Sequence, residues 1–533
     1  MKIKYIKSIT LLGVLAVVMS SCHKDLNRKP FVDVTSASVY EDFKNYKGVL
    51  AKCYGALALT GQGIGDANPD IGGVDVGYVR GYWQLQELTT DEAVIAWNDQ
   101  YLLPLHSMDW TSLNGLVGAM YNRISLQVMY ANEYLRRTTD AELSRNGITN
   151  TADLAENKLY RAECRFLRAY SYWHAIDMYG SVPLVTENDP VGAFFPKQAS
   201  RAELFNFVES ELKAIENELA EPHANEYGRV DRVSAWMLLA KLYLNAEVYT
   251  GSQRNADVIT YCNKVINSGY SLEPNFAKIF LADNHLVKNE IIFTIPYDGV
   301  KMKTFNGTTF LVHAPVGGNM NAPRDFGIDG GWFGLRTTSA IVKLFPDITG
   351  KTDSRAMFHS SGQKLEINSL GSYADGYPIT KWKNLTSSGV PGSDPGKVHV
   401  DTDFPVFRIS DAYLMYAEAV LRGGGGGDIS TALQYVNLVR TRAYKGSNAG
   451  NINANQLTLN FIIDERGREF MWEGQRRTDL VRFKRFTGGD YIWPWKGGVK
   501  AGSASVPAYR DIFPLPYSDL VANPSLKQNP GYN

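Results

Sequence analysis

Apolar residues recur at three- and four-residue intervals along most of this chain, the spacing that lines one face of an α-helix. The pattern predicts helices over Val39–Leu59, Leu116–Arg137, Ala152–Tyr179, Ala202–Leu219, Val233–Tyr249, Ala256–Ile266, Ile409–Arg422, Ile429–Arg442 and Phe461–Glu473. Two stretches arrive as helix pairs, "SAWMLLAKLYLNAEVYTGSQRNADVITYCNKVI" and "DAYLMYAEAVLRGGGGGDISTALQYVNLVRTRA". In each, an aromatic precedes an alanine by four residues (Trp236 with Ala240, Tyr413 with Ala417), and a further alanine, Ala256 or Ala432, opens the partner helix. Such small-against-large packing suits tetratricopeptide-like hairpins; an unrelated helical bundle is the other architecture that fits. Either way the fold is mainly α.

Two regions break the helical period. Residues 60–114 begin "TGQGIGDANPDIGGVDVGY", and residues 280–405 contain "FNGTTFLVHAPVGGNMNAPRDFGIDGGWFG", both rich in Gly, Asn, Asp and Pro. Loops this long inside a compact protein tend to carry function, and these hold Trp83, Trp97, Phe305, Phe310 and Trp332. The expected organisation is a helical lobe over about 115–275 and 406–486, a smaller irregular ligand lobe over about 60–114 and 280–405, and an extended tail over 487–533.

The first residues, "MKIKYIKSITLLGVLAVVMSSC", place three lysines before an apolar run and small residues before Cys22, the order of a secretory leader over 1–21. The run is too short to span a bilayer, which takes roughly 20 apolar residues. Ser20, Ser21 and Cys22 resemble a lipobox that would leave Cys22 as an acylated N-terminus, with Met19 where leucine is usual; a plain secretory leader is the alternative. Residues 22–38 are polar and aperiodic, a tether. The other cysteines, Cys53, Cys164 and Cys262, are odd in number and sit in helical patterns, which favours buried thiols over disulfides or zinc.

Lysine plus arginine equals aspartate plus glutamate, 55 each, so no net field draws nucleic acid, and neutral ligands become more plausible. Aromatic residues make up 12%, with 30 tyrosines and 10 tryptophans, enough to supply flat binding faces beyond the core. No nucleophile elbow, zinc helix or phosphate loop occurs. In "RGYWQLQELTTDEAVIAWNDQY", Asp91 and Glu92 are adjacent and diverge, a poor acid/base pair; Asp91 reads instead as the beginning of a helix. The arginines of "ERGREFMWEGQRRTDLVRFKRF" alternate with Glu465, Glu469, Glu473 and Asp479, which suggests ion pairs along one helix. Asp428, after the run Gly423–Gly427, reads as an N-cap, with calcium ligation as the alternative.

Three further stretches carry a resemblance along essentially the whole mature chain: "RAECRFLRAYSYWHAIDMYGSVPLV", "ERGREFMWEGQRRTDLVRF" and "FPLPYSDLVANPSLKQNPGY". With the lipobox, they make residues 39–533 similar to the SusD/RagB outer-membrane nutrient-binding lipoproteins. The resemblance implies a SusD-like fold and a non-catalytic, lipid-anchored glycan binder at the cell surface, requiring no cofactor. Its helical face would contact a SusC-like TonB-dependent transporter, and its loop lobe would hold an oligo- or polysaccharide.

"QELTTDEAVIAWND", "NGTTFLVHA" and "DGGWFG" look most like the starch-binding branch. Carried over by position, Trp97 and Trp332 supply two rings of an aromatic arc and Arg80 a hydrogen-bonding cation. Phe305 is the third ring, with Tyr297 and Phe310 as competitors. Gln100 stands where an asparagine amide is expected, Asp99 lies beside it, and the loop from Asp66 through Asp70 to Gly73 would close over the ligand. Indole faces suit the C–H faces of a pyranose while Arg, Asp and Gln suit its hydroxyl rim, and the expected affinity is micromolar to millimolar.

Overall fold

The computed structural model describes residues 39–532 apart from 62, 73 and 75, so the leader, the tether, Cys22 and Gly73 lie outside the described residues. The principal helices are α1 (Tyr46–Ala58), α2 (Tyr78–Glu87), α3 (Gly115–Arg137), α4 (Thr151–Met178), α5 (Arg201–Ile215), α6 (Arg232–Leu244), α7 (Asn255–Ile266), α8 (Gly307–His313), α9 (Ile409–Leu421), α10 (Ile429–Ala443), α11 (Leu459–Phe470) and α12 (Arg476–Arg482). Their starts follow local chemistry. Asn114 accepts hydrogen bonds from the Leu116 and Val117 N–H groups at the head of α3, and Ser200 with Glu203 forms a reciprocal capping box on α5.

Packing runs α3 on α4, α4 on α5, α6 on α7, α7 on α9 and α9 on α10, a stack of antiparallel hairpins. Trp236 and Tyr413 stand four residues before Ala240 and Ala417, both fully buried. Ala432 is buried as the hairpin pattern requires, but Ala256 is exposed, so the first partner helix packs through Val258, Ile259 and Cys262 instead. The glycine run between α9 and α10 packs closely, since a Cβ on Gly424 would lie 2.7 Å from Ile259 Cδ1.

Asp428 caps α10: one carboxylate oxygen accepts from the Thr431 N–H and the Ser430 hydroxyl, the other from the Thr431 hydroxyl. Both oxygens are thus engaged locally, and among the described residues no group of three or more His, Cys, Asp or Glu side chains could hold a metal ion. Calcium ligation at Asp428 is therefore replaced by the cap. Cys53, Cys164 and Cys262 are buried free thiols.

The arginine-rich segment is structural, but its bonds run mainly between elements rather than along one helix. Arg408 sits at the centre, donating to Glu473 at 2.8 Å, Glu290 at 2.6 Å and Glu469 at 2.9 Å. Glu465 meets Arg355 and Arg440, and Arg466 bridges Asp411 and Asp479. The pairs Glu465–Arg468 and Asp479–Arg482 alone follow helical spacing. Helical periodicity carries no signal for such cross-element partners.

The tail is anchored rather than merely draped. The Phe513 N–H donates to the Met178 carbonyl at the end of α4, the Asn529 amide donates to Tyr179, and Phe513 and Leu515 are fully buried. Two short antiparallel pairs complete the architecture. Strands β1 (Val94–Ile95) and β3 (Leu335–Arg336) pair Val94 with Arg336 and Ile95 with Leu335, while β2 (Ile291–Ile295) pairs with β4 (Phe404–Arg408). No described helix is long and apolar enough to cross a membrane.

Candidate functional site

The β1–β3 pair joins the two irregular regions. Beyond its last paired residues, the Ala96 N–H donates to the Gly334 carbonyl, which carries Trp97 alongside the Gly330–Gly334 turn. The Trp97 indole N–H then donates to the Trp332 carbonyl at 3.0 Å. Gly334 makes this approach feasible, because a Cβ there would stand 2.8 Å from Trp97 Cε2. Gly331 is likewise tight, since a Cβ there would stand 2.1 Å from the Val316 carbonyl oxygen, whereas Gly330 faces open space.

Three rings come together. Trp97 and Trp332 have centroids 6.2 Å apart with planes tilted by 44°, and Trp332 and Phe305 are 6.4 Å apart at 47°. Trp97 and Trp332 are half-buried and Phe305 is 41% exposed, so each remains partly accessible to solvent. With planes turned by 44° and 47° between neighbours, the three rings form a shelf that is not flat. Of the competitors for the third ring, Tyr297 is 5% exposed and Phe310 fully buried, which removes both from solvent. Trp83 is likewise in the core, its indole N–H bonded to the Trp472 carbonyl.

Each ring has a support that sequence spacing does not reveal. His313, the last residue of α8, stacks beneath Trp332 at 4.9 Å and 24°, with Nδ1 against the Gly330 carbonyl. Burial pushes the imidazole below its ordinary pKa, so it supports the indole in the neutral form. His399 lies 4.9 Å from Phe305. Phe310 braces Trp97 edge-on at 6.0 Å, and the Arg80 guanidinium lies 4.5 Å over Phe310 and 5.9 Å from Trp97. Arg80 is thus placed beside the arc on α2.

The acidic residues divide. Asp66 accepts from the Phe305 N–H at 2.6 Å, Thr304 Oγ1 at 2.7 Å and Thr60 Oγ1 at 2.8 Å, so it positions the third ring. Asp70 pairs with Arg123 at 2.6 Å, and the same guanidinium holds the Val76 carbonyl. These bonds pin the loop at two points and engage Asp70 away from the rings, contrary to its expected place against a ligand. Asp99 and Gln100 are exposed in the turn after Trp97, open to solvent.

Asp91 and Glu92 do not begin a helix. They follow the end of α2 and are buried, with Arg476 clamping Asp91 through two bonds of 2.8 and 2.7 Å while Glu92 accepts from the Trp472 N–H. Propensity for a cap lost to a buried, bidentate ion pair. Sealed from water, these carboxylates cannot meet a substrate.

Glu87 sits with them, accepting from the Gly474 and Gln475 N–H groups beside the Glu92 carboxyl. Burial pushes its pKa up from 4.5 to about 7, and burial together with the Glu87 charge pushes Glu92 up as well. A carboxyl raised in the folded state binds its proton more tightly there, so its effect on stability is fully favourable below about 4.5. That benefit declines as pH rises towards 7. Glu87→Gln keeps the accepting oxygen and removes the charge. Melting temperature should therefore fall less between pH 5 and pH 8 in the variant than in the parent; parallel curves would contradict this account.

The SusD family profile matches residues 361–532. Over its whole length the chain is 34% identical to the starch-binding protein SusD of Bacteroides thetaiotaomicron, with 100% of both chains covered. This chain belongs to the SusD family. SusD-like protein P2 of Formosa agariphila is 24% identical over 79% of this chain and 81% of its own. Among solved structures, a SusD superfamily protein from Bacteroides vulgatus matches with a TM-score of 0.69 at 16% identity, covering 92% of this chain and 99% of that one. Surface glycan-binding protein A from Bacteroides thetaiotaomicron, solved with laminarihexaose, matches with a TM-score of 0.67 at 19% identity, over 91% and 99%. At these identities the structural likeness concerns the fold, and the mainly α, hairpin-stacked architecture is that of the SusD family.

Proposed function

We propose that this protein is a non-catalytic glycan-binding lipoprotein of the outer membrane surface, capturing a starch-like α-glucan for import. The observation that carries the reading is the non-planar cluster of Trp97, Trp332 and Phe305, spaced 6.2 and 6.4 Å apart and partly accessible to solvent. A coiled glucan presents successive pyranose faces along a curve, and each ring can stack on one face while Arg80, Asp99 and Gln100 meet hydroxyls at the rim. The relationship to a protein named for starch binding supports the α-glucan. The solved relative holding laminarihexaose keeps another glycan class as the second reading. Acylation at Cys22, docking on a SusC-like TonB-dependent transporter and the absence of any required cofactor complete the proposal on grounds of family membership.

Exposed polar contacts exchange water for sugar at a net gain of only about 0.5–1.5 kcal/mol each, so binding in the micromolar to millimolar range is expected. Native electrophoresis in gels containing starch should retard the mature protein relative to gels without it. Incubation with soluble starch should release no reducing ends. Unretarded migration, together with binding to laminari-oligosaccharides, would favour the second reading, and sustained release of reducing ends would overturn the non-catalytic one.

A further inference from the structure

The residue after Trp332 has no part in the arc, yet its placement is unusual. Phe333 is 51% exposed and adopts a φ of +52°, a left-handed conformation that a bulky aromatic rarely occupies. Three consecutive backbone bonds enforce it: Trp332 N–H to His313 O at 2.9 Å, Phe333 N–H to Val316 O at 3.0 Å, and Gly334 N–H to Ala314 O at 2.8 Å. The result sets Trp332 over His313 and Phe333 over Gly317. A Cβ on Gly317 would come within 2.6 Å of Phe333 Cδ1 and 2.8 Å of Tyr373 Cζ, so the glycine is the floor on which both rings rest.

Tyr373 braces Phe333 edge-on, with centroids 5.3 Å apart at 62°, and is itself fixed by its hydroxyl donating to the Pro315 carbonyl at 2.6 Å. Around this pair stands a ring of amide, imidazole and hydroxyl groups. His359 Nε2 meets Asn319 Oδ1 at 2.7 Å and Asn319 donates to Ser361 Oγ at 2.8 Å, while a Cβ on Gly318 would lie 3.7 Å from both Gln363 Nε2 and Tyr373 Cε1. A strained backbone that holds an apolar ring in water, rather than in the core, points from geometry to function. A flat ring turned to solvent matches the apolar C–H face of a pyranose, as at the arc.

We infer that Phe333, backed by Tyr373, is an outer stacking platform that engages a further residue of a glycan already held on the arc. The inference rests on the glycan reading proposed above. Because Trp332 and Phe333 are consecutive yet lie over different supports, the platform adds contacts to a long chain and none to a short one held at the arc.

Isothermal titration with maltotriose and maltoheptaose tests this. The parent protein should bind maltoheptaose more tightly than maltotriose. Phe333→Ala should weaken maltoheptaose about three- to tenfold and leave maltotriose unchanged, with an unaltered melting temperature because the ring is half in solvent. Phe333→Leu, which keeps apolar bulk without a flat face, should behave like the alanine variant. Unchanged maltoheptaose affinity in Phe333→Ala overturns the platform, as does full affinity in Phe333→Leu. Failure of the parent itself to bind either ligand rejects the α-glucan reading and the platform with it, an outcome separate from an intact parent and an indifferent Phe333 variant.

Discussion

Trp332→Ala should abolish retention on starch gels and lower affinity for maltoheptaose by about thirtyfold or more. Trp332 is the middle of the three rings, within 6.2 Å of Trp97 and 6.4 Å of Phe305, so its loss breaks the shelf into separated halves. Truncating a central aromatic at a recognition surface commonly costs about 2 kcal/mol or more, which is about thirtyfold in Kd. From a micromolar-to-millimolar start, that removes measurable retention. The fold should persist, since Trp332 is half-buried and its backbone N–H to His313 is kept. Trp97→Ala should also lose binding, but with a lower melting temperature, because that ring packs on Phe310, Arg80 and Gly334. Trp97→Phe separates the two roles: it keeps a face and deletes the bond to the Trp332 carbonyl. Retention of Trp332→Ala equal to the parent would reject the arc as the binding surface.

The second large effect is on stability. Arg408→Met should destabilise the protein by about 3–5 kcal/mol, the usual consequence of removing one member of a buried ionic network and leaving its partners unpaired. Arg408 is fully buried and meets Glu290, Glu469 and Glu473, tying β4 to the residue just before β2, to the end of α11 and to the turn that follows it. Burial alone would raise the Glu469 carboxyl, but Arg442, Arg408 and Arg355 together hold it down at about 2. A carboxyl depressed in the folded state stabilises above its unfolded value near 4.5 and loses that contribution as pH falls towards 2. Acid unfolding should therefore move to higher pH in Arg408→Met. A midpoint in urea within error of the parent would show that the remaining arginines suffice.

Much of the helical frame was legible because its cause is local. The 3.6-residue period marks α3, α4 and α5 to within a few residues. What was not legible depends on partners distant in the chain. Nothing beside Asp91 announces Arg476, and nothing in the 60–70 loop announces that Asp66 will hold the backbone of Phe305. Spacing also says nothing of His313 and His399, which stand under and beside the rings. The ring-bearing motifs themselves could be singled out, because tryptophan amid glycine and asparagine is chemically conspicuous. Their convergence through the β1–β3 pair could not.

The indole–carbonyl bond from Trp97 to Trp332 has a kinetic consequence. Side chains already locked in their receiving posture need no rearrangement when a ligand arrives, so encounter rather than reshaping sets the pace of loading. With association at about 10⁵–10⁷ M⁻¹s⁻¹ and a dissociation constant near 10⁻⁵ M, an estimate in the weak range expected of such contacts, a bound chain would leave within about a second to ten milliseconds. Under the proposed function, a glycan would thus be held briefly and released without help.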